Sequence, residues 1–370
     1  NFKTKFACEV KNFNVEDFID RKEARRMDRY AQYAIVATEE AVNDAGFDFE
    51  TLDKDRVGVI WGSGIGGLET FQQEVMEFSA GNGVPKFNPF FIPKLLVNLA
   101  AGMISIKYGL QGINYCPSSA CATSNTAFMD AFNYIRLGKA KVIITGGAEA
   151  PITPASYGAF AAMKAMSTRN HDPATASRPF DKNRDGFVMG EGAAALIFEE
   201  YEHAVARGAK IYAEVAGAAM TADAYHLTSP HPEGIAAAQC MRLALKEAGL
   251  KPEEVDYLNL HATATPLGDI AELKAVQKVF GENARVHLSA TKSMTGHLLG
   301  AAAALEAIAT ILSIQEATIP PTINVQELDP ELPAGLNIVL DHALKKNVKV
   351  AMSNAFGFGG HNSTIIFKSL

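Results

Sequence analysis

The stretch from Asn114 to Phe128 reads NYCPSSACATSNTAF and places two cysteines, Cys116 and Cys121, among small and hydroxylic residues. From Phe128 onward, apolar residues recur at the i, i+3, i+4, i+7 spacing of a helix that Gly138 would end. Cys121 is therefore predicted at a helix N-terminus, where unpaired N–H groups and the helix dipole would lower its thiol pKa and could hold an oxyanion. Cys116 has no such position. Free cysteines are more often small buried hydrophobic residues, so this stretch alone leaves their roles open.

The composition is typical of a globular protein. The chain has 370 residues, of which 48% are hydrophobic and 20% are charged, which is enough for one large α/β domain or two fused halves. The net charge of −7 argues against a nucleic-acid partner at the level of the whole chain. A local basic cluster, DRKEARRMDR from Asp20 to Arg29, indicates by itself only a solvated helix face.

The cysteine spacing argues against a disulfide framework and a zinc site. Four cysteines occur without any C-x-x-C pair, so a reducing, cytoplasmic setting is expected. The most apolar segment, from Leu298 to Ile314, contains Glu306 and is too short to span a bilayer, so we expect no membrane insertion. No signal peptide is visible, and because the chain starts with Asn1 rather than Met, we expect the true N-terminus to be missing.

The chain alternates short β-branched runs with long helical patterns. VGVIW (57–61), KVIITGG (141–147) and VKVAMSNAF (348–356) predict strands of a parallel or mixed sheet that is buried on both faces. A weak repeat relates SSACATSNTAF, followed by KVIITGG, to VHLSATKSMTGHLLG, followed by VKVAMSNAFGFGG. Residues 119–121 and 289–291 then occupy equivalent strand-to-helix corners, which two fused halves would bring together.

Two further motifs resemble ligand-binding loops. GSGIGG (62–67) matches the G-x-G-x-x-G dinucleotide pattern, but no acidic residue ends a second strand at the expected distance, so a tight glycine turn is preferred. DKNRDG (181–186) begins like a calcium loop, but its twelfth position is Gly192, so a turn is again preferred and no metal site is expected.

Two histidines complete the set of candidate catalytic groups. HATATPLGD starts at His261 after the strand-like YLNL, and KSMTGHLLG carries Lys292 and His297 at the corner that matches Cys121. A thiolate can exchange acyl groups with a thioester, and two imidazoles can donate hydrogen bonds to a carbonyl that becomes an enolate. Cysteine-protease hydrolysis would use one histidine with an Asn or Asp, so a carbon–carbon condensation fits these residues better.

SSACATS, HATATPLGD, KSMTGHLLGAA and NAFGFGGHN together resemble the β-ketoacyl-acyl-carrier-protein synthases of the thiolase fold. DAYHLTSP and GSGIGG resemble the type II synthases among them, and the resemblance extends from RKEARRMD to GFGGHNSTIIF. It implies an α/β thiolase-like fold with five α-β-α-β-α layers, built from two similar halves related by a pseudo-twofold axis. Residues 1–208 would carry the nucleophile and 209–370 the two histidines. A usual first strand of the form VVVTGLG and its helix are absent before Asn1.

The resemblance also implies roles for individual residues. Cys121 would accept the acyl group, His261 and His297 would promote decarboxylation, and Lys292 would shape the site with Glu306 as its buried partner. The N–H groups of Cys121 and Phe358 would form the oxyanion hole, with Phe358 as a gate for the second substrate. The implied substrate-binding residues are Thr263 and Thr265 on the phosphopantetheine arm, Ile65, Phe160 and Phe187 around the acyl chain, and Thr228 and Ser229 in the DAYHLTSP motif.

By the same resemblance, an acidic acyl carrier protein would dock on Lys22, Arg25, Arg26, Lys86 and Lys164. The implied partners are this carrier, acyl and malonyl thioesters, and a second copy of the chain in a homodimer. Two departures are visible: HATATP replaces the usual HGTSTP, and Cys116 is an extra thiol near the site.

The implied reaction is a decarboxylating Claisen condensation of acyl carrier with malonyl carrier to a 3-oxoacyl carrier, which elongates fatty acids without a metal or a cofactor beyond the carrier's phosphopantetheine arm. The alternatives are a polyketide-type ketosynthase and a non-elongating chain-length partner subunit, although such a subunit typically lacks the nucleophile. A coenzyme A thiolase would need a second catalytic cysteine in the second half, where only Cys240 is available.

Overall fold

A computed structural model of the chain describes residues 2–49 and 51–370. Within these residues the helices are α1 (Arg21–Ala24), α2 (Arg29–Ala45), α3 (Leu68–Ala80), α4 (Phe91–Leu95), α5 (Leu99–Tyr108), α6 (Thr123–Arg136), α7 (Pro154–Ala162), α8 (Tyr201–Ala206), α9 (Ile235–Ala248), α10 (Pro266–Phe280), α11 (Lys292–Thr295) and α12 (Ala302–Gln315). The strands are β1 (Val57–Gly62), β2 (Asn114–Tyr115), β3 (Val142–Glu149), β4 (Gly192–Glu199), β5 (Glu214–Ala222), β6 (Tyr257–Asn259), β7 (His287–Ser289), β8 (Thr318–Ile319), β9 (Asn337–Ile338), β10 (Leu344–Lys345), β11 (Val350–Gly357) and β12 (His361–Lys368).

The strands form two principal sheets with the same core topology. The first has the order β2-β1-β3-β4, with β1 parallel to β2 and β3, and β4 antiparallel to β3. The second contains the order β7-β6-β11-β12 with the same polarities, and adds β9 beside β7 and β5 beside β12. The predicted repeat is therefore confirmed, and the corners at 119–121 and 289–291 follow the equivalent strands β2 and β7.

Five layers result because both faces of each sheet are apolar. On β1, Val59 and Trp61 pack toward α2 and α5, whereas the intervening Ile60 packs toward α6 and α12 between the sheets. Helices α9 and α10 cover the outer face of the second sheet, around Leu258 and Met352. This period-two alternation with burial on both sides explains the continuous apolar runs in the sequence.

One edge of the first sheet differs from its counterpart. The outer side of β12 is covered by β5, whereas among the described residues β4 is an edge strand. A cavity of about 630 Å³ lies along β4 and is lined by apolar side chains such as Phe132, Ile135 and Leu312. The cavity contains none of the predicted site residues. Among the described helices, none has the length and apolar character needed to cross a bilayer.

Candidate active site

Cys121 lies in a single 3-10 turn, Ala120–Ala122, directly before α6. The turn is tightly held because Ala120 adopts a positive φ of 52° and the Thr123 hydroxyl donates to its carbonyl oxygen. The predicted helix after Cys121 is confirmed, and its C-terminal Gly138 has a φ of 66°. The thiol is partly buried and faces the central cavity described below.

The predicted lowering of the Cys121 pKa is wrong. Burial raises the thiol pKa to about 12, and the positive charge of Lys292 only partly offsets this. The negative charges of Glu149 and Glu306 act in the same direction as burial. A helix N-terminus that is packed among apolar side chains therefore does not by itself supply a thiolate.

His261 and His297 come from two loops at the carboxyl side of the second sheet and face each other across the cavity. Their ring centroids are 5.4 Å apart, and the rings are nearly perpendicular. Burial and the nearby charge of Lys292 lower the pKa of both imidazoles well below the usual 6.5. Both rings are therefore neutral at neutral pH, and each carries one N–H that can be donated.

Lys292 starts α11 and forms an ion pair with Glu306 on α12, as the resemblance implied. Both side chains are almost fully buried, with 1% and 3% of their surface exposed. Burial raises the pKa of Glu306 to about 6 even though Lys292 opposes the shift. The ion pair therefore places the positive charge of Lys292 near the histidines and the thiol, while the pair as a whole carries little net charge.

The backbone of the 357–360 turn approaches Cys121 closely. A Cβ added to Gly357 would lie 3.1 Å from the Cys121 nitrogen and 2.5 Å from the Ser119 carbonyl oxygen. Gly359 and Gly360 continue the turn with φ values of 87° and 75°. Only a glycine fits this approach, which leaves the N–H of Cys121 next to the turn that carries Phe358.

A cavity of about 310 Å³ connects these groups. Several predicted residues line it: Cys121, His261, His297, Phe358, Thr263, Thr265, Thr228, Ser229, Phe160, Phe187 and Lys164. The hydroxyls of Thr263 and Thr265 are 3.1 Å apart. The Thr228 and Ser229 N–H groups both donate to His226 Nδ1, which fixes their turn.

Ile65 is not among the residues that line this cavity, but it belongs to an apolar cluster that shares several residues with the cavity lining. The cluster packs Ile65 with Cys121, Phe160, Phe187 and Leu299. The rings of Phe160 and Phe187 meet edge to face at 5.4 Å, and Phe187 contacts the His297 ring at the same distance. The structure thus brings the predicted acyl-contacting residues together, and their roles remain predictions.

The GSGIGG motif is a glycine turn, as preferred from the sequence. Its N–H groups do not point to a free anion site, because the buried Glu149 carboxylate accepts from the nitrogens of Gly64 (2.8 Å) and Ile65 (3.0 Å). The DKNRDG segment is likewise structural, since the buried Asp181 carboxylate caps the backbone of Gln326 at 2.8 Å. Among the described residues no three or more His, Cys, Asp or Glu side chains are grouped as metal ligands would be.

Two buried carboxylates at the site were missed in the sequence. Glu149 ends β3, and Glu272 on α10 accepts hydrogen bonds from the nitrogens of His261 (2.8 Å) and Ala262 (2.7 Å). Burial raises the pKa of Glu272 to about 7. The available signal was an acidic residue within an otherwise buried apolar run, as in TGGAEA and DIAELKAV.

The predicted docking residues are all exposed, in two places. Arg25 and Lys86 line one shallow groove, and Arg26 lies beside it over the Phe90 ring at 5.2 Å. Lys22 lies on α1, whereas Lys164 stands at the cavity that contains Cys121. Within the described residues none of the five forms an ion pair, so their charges are available to a partner.

The chain matches the beta-ketoacyl synthase family over most of its length. The N-terminal domain of the family matches residues 3–204 and the C-terminal domain matches residues 212–326. It is 48% identical to a Synechocystis protein and 50% identical to a Staphylococcus aureus protein, both named 3-oxoacyl-[acyl-carrier-protein] synthase 2. These alignments cover 98% of this chain and 87% and 89% of the relatives.

Comparison with solved structures gives the same family. A β-ketoacyl synthase from Burkholderia phymatum superposes with a TM-score of 0.93 at 37% identity and covers 100% of this chain and 89% of its own. A ketosynthase of a type II polyketide synthase, solved with its acyl-carrier protein, gives 0.92 at 34% identity with the same coverage. Together with the thiol and the two imidazoles in one cavity of a two-half, five-layered fold, these matches show that the chain belongs to the beta-ketoacyl synthase family, the condensing acyltransferases of the thiolase fold.

Proposed function

We propose that the chain condenses an acyl group from acyl-[acyl-carrier-protein] with malonyl-[acyl-carrier-protein], releasing carbon dioxide and giving a 3-oxoacyl carrier two carbons longer. The observation that carries this proposal is the shared cavity of one thiol, Cys121, and two neutral imidazoles, His261 and His297. The two relatives named 3-oxoacyl-[acyl-carrier-protein] synthase 2 support acyl carriers as substrates and fatty acid elongation as the process.

In the first half-reaction, Cys121 sulfur attacks the thioester carbonyl of the acyl carrier. The new bond joins this sulfur to the acyl carbon, the bond to the phosphopantetheine sulfur breaks, and the thiol proton leaves with that sulfur. Because the Cys121 pKa is raised, the proton is removed as the carbonyl is attacked. The N–H groups of Cys121 and Phe358 hold the oxyanion, in keeping with the close approach of Gly357.

In the second half-reaction, the malonyl carboxylate leaves as carbon dioxide, and the bonding electrons remain as an enolate. His261 and His297 each donate an N–H to the enolate oxygen, which their neutral state permits. The enolate carbon attacks the acyl carbon on Cys121, the carbon–sulfur bond breaks, and the released thiolate takes up a proton from solvent to restore the enzyme thiol. Phe358 gates the entry of this second substrate, and Thr263 and Thr265 hold the phosphopantetheine arm.

Lys292 acts through the electric field of its ammonium group. Its charge opposes the burial that raises the Cys121 pKa and disfavours protonation of the histidines. Glu306 compensates this charge in the interior and fixes the ammonium group. The reaction needs no metal or cofactor beyond the phosphopantetheine arm that the carrier brings.

The carrier docks through the exposed basic residues, because Lys164 stands at the cavity and Arg25 and Lys86 share a groove. A carrier with acidic surface helices would complement both. Carrier docking is also described for the polyketide ketosynthase that was solved with its acyl-carrier protein.

A homodimer is supported by an exposed aromatic surface. Phe71, Phe78, Phe87 and Phe91 stack in a chain with centroid distances of 5.3 to 6.2 Å, and the first three rings are exposed. Exposed apolar patches of this kind mark interaction surfaces. We infer that a second copy covers the Phe71 and Phe91 end of this surface, whereas Phe87 lines the groove of Arg25 and Lys86 that is left to the carrier. We also infer that residue 208 divides the halves and that the free cysteines reflect a reducing, cytoplasmic setting.

The polyketide alternative uses the same chemistry on other chains. It is less well supported, since the polyketide ketosynthase is 34% identical and the fatty-acid relatives 48% and 50%. A thiolase is disfavoured because Cys240 is buried in α9 and donates to the Ala219 carbonyl at 3.2 Å, away from the cavity. A chain-length partner subunit would not need Cys121.

The decisive experiment supplies purified protein with an acyl carrier and carbon-labelled malonyl carrier and follows labelled carbon dioxide and the 3-oxoacyl carrier by mass spectrometry. We expect both products to form in equal amounts, and Cys121→Ala to form no 3-oxoacyl product. Product from the Cys121→Ala protein, or none from the parent with any carrier chain length, would contradict the proposal.

A further inference from the structure

The Glu149 carboxylate is buried in the protein without a cation. Its side chain is fully shielded from solvent at the end of β3, and among the described residues no lysine, arginine or histidine forms an ion pair with it. A bare carboxylate in such a place is costly unless several donors surround it. This burial therefore indicates that Glu149 has a role other than balancing a positive charge.

Four donors converge on this carboxylate from both halves of the chain. Oε1 accepts from the Ser63 hydroxyl (2.9 Å) and the Ile65 nitrogen (3.0 Å). Oε2 accepts from the nitrogens of Gly64 (2.8 Å) and Gly300 (3.0 Å). Three of the donors belong to the glycine turn beside the acyl cluster, and the fourth lies three residues after His297.

The carboxylate lies so close to the backbone that no side chain fits at positions 64 and 300. A Cβ on Gly300 would come within 2.5 Å of Glu149 Oε2, and one on Gly64 within 2.9 Å of the same atom. The Gly300 carbonyl oxygen accepts from the Ser124 hydroxyl, so both backbone groups of residue 300 are held by side chains of the first half. Within the glycine turn, the Ser63 hydroxyl also accepts from the Gly66 nitrogen at 3.1 Å.

We propose that Glu149 is a positioning residue: its carboxylate ties the Ile65 turn and the Gly300 turn to the end of β3. It thereby fixes the wall of the acyl site and the distance of His297 from Cys121. Ile65 packs with Cys121 and Leu299 in one cluster, so a displaced turn would move the wall against which the chain lies. The inference rests on the proposed function in taking Ile65 as part of that wall.

The charge of Glu149 has a second consequence that can be measured separately. Burial raises the pKa of Glu149, and the four donors oppose this rise by stabilising the ionised form. The ionised carboxylate raises the pKa of the Cys121 thiol, so its removal lowers that pKa. Glu149→Gln removes the charge. It also replaces one carboxylate oxygen with an amide N–H₂ group, which then faces two hydrogen-bond donors. Ser63→Ala retains the charge of Glu149 and removes only the hydrogen bonds of the Ser63 hydroxyl.

The test compares Glu149→Gln, Ser63→Ala and a control, Glu199→Gln. Glu199 is a largely buried carboxylate of β4 that pairs with Arg207 at the other end of the same sheet. It lies opposite Val142, seven residues before Glu149, roughly 23 Å away along β3. Each variant is measured for acylation of Cys121 by short and long acyl carriers, for the pH dependence of alkylation by iodoacetamide, and for its melting temperature.

In Glu149→Gln we expect the ratio of long-chain to short-chain acylation rates to fall about tenfold, the scale of a lost hydrogen bond to a charged group. In the same variant we expect the pH dependence of Cys121 alkylation by iodoacetamide to move to lower pH. Ser63→Ala should lower the ratio less and leave the alkylation profile in place, and Glu199→Gln should change neither. Ser63→Ala keeps the test valid if Glu149→Gln does not fold.

A folded Glu149→Gln protein with an unchanged ratio of long-chain to short-chain acylation rates would overturn the proposal, whether or not its alkylation profile moves. An equal loss at every chain length is such an outcome, because it indicates a purely structural role. Alkylation uses no acyl substrate, so it remains informative if the proposed acyl-wall role of Ile65 fails in the Ile65→Phe experiment described in the Discussion.

Discussion

The imidazole rings of His261 and His297 stand at 88° to each other with their centroids 5.4 Å apart. Two neutral rings in this arrangement can direct two N–H groups at one oxygen from different sides. We expect His261→Ala and His297→Ala each to slow decarboxylation of malonyl carrier on the order of a hundredfold or more, the usual effect of removing one oxyanion donor. Both should still form acyl-Cys121, and labelled carbon dioxide release measures the first effect. Release at the parental rate in either variant would exclude that residue from the role.

Cys121→Ala should abolish acyl transfer, whereas Cys116→Ala should retain most of it. Cys116 Sγ lies 3.3 Å from the Pro117 carbonyl oxygen, and unlike Cys121 it is not among the residues that line the cavity with His261 and His297. The intact mass of each variant after incubation with acyl carrier shows where the label resides. An acyl label on Cys116 in the parent protein would contradict the assignment.

Lys292→Met should destabilise the protein in a pH-dependent way. The Glu306 pKa of about 6 is above its usual 4.5. Between these two pH values the folded chain binds more protons than the unfolded chain, so the contribution of Glu306 to stability falls as the pH rises. Without the ammonium the pKa rises further and the loss extends to higher pH. We expect a loss of about 3 kcal/mol in the free energy of unfolding at neutral pH.

Urea unfolding at several pH values measures this effect. The double variant Lys292→Met/Glu306→Gln is the control, since it has no carboxylate at position 306 to titrate. If the single variant showed the same pH dependence as the double variant, the ion pair would not be the source.

Reversing the charge at Arg25 or Lys164 should raise the KM for carrier-bound substrates and weaken its dependence on salt, because exposed charges mainly steer encounter. Lys251→Glu is the matched control, since this exposed lysine precedes β6, at the end of that strand opposite His261. Steady-state assays with carrier and with pantetheine thioesters separate docking from chemistry. Equal losses toward both substrates would argue against docking.

Ile65→Phe should discriminate between chain lengths. A larger ring in the cluster with Cys121 and Phe187 costs roughly 1–3 kcal/mol when an acyl tail must share the space. Short chains end before the obstruction, so acylation should fail progressively as the chain lengthens, with the melting temperature nearly unchanged. A uniform loss would instead indicate a structural role of the turn.

Much of the architecture could be predicted from local patterns. The buried runs at 57–61, 141–147 and 348–356 became β1, β3 and β11, and the weak repeat became two sheets of matching order. These features depend on side-chain periodicity, which a sequence displays directly. The family motifs likewise identified the residues that the cavity brings together.

The parts that could not be predicted depend on long-range burial. The helix N-terminus at Cys121 was predicted, but the sign of its pKa shift was not, because the apolar cluster around it comes from distant segments. Glu149 was missed for the same reason. Its four donors lie 84 to 86 residues before it and 151 residues after it in sequence, and only the packed sheets bring them together.

The division of the site between the two halves also sets the order in which a growing chain becomes reactive. His261 lies 140 positions after Cys121, so at usual rates of synthesis the thiol precedes its first imidazole by roughly 7 to 28 seconds. Lys292, His297 and Phe358 follow later still. A nascent first half thus presents a cysteine that has neither of the imidazoles and only part of its oxyanion site, and it cannot carry out the condensation. Catalytic competence arises only when the last strands have joined the second sheet.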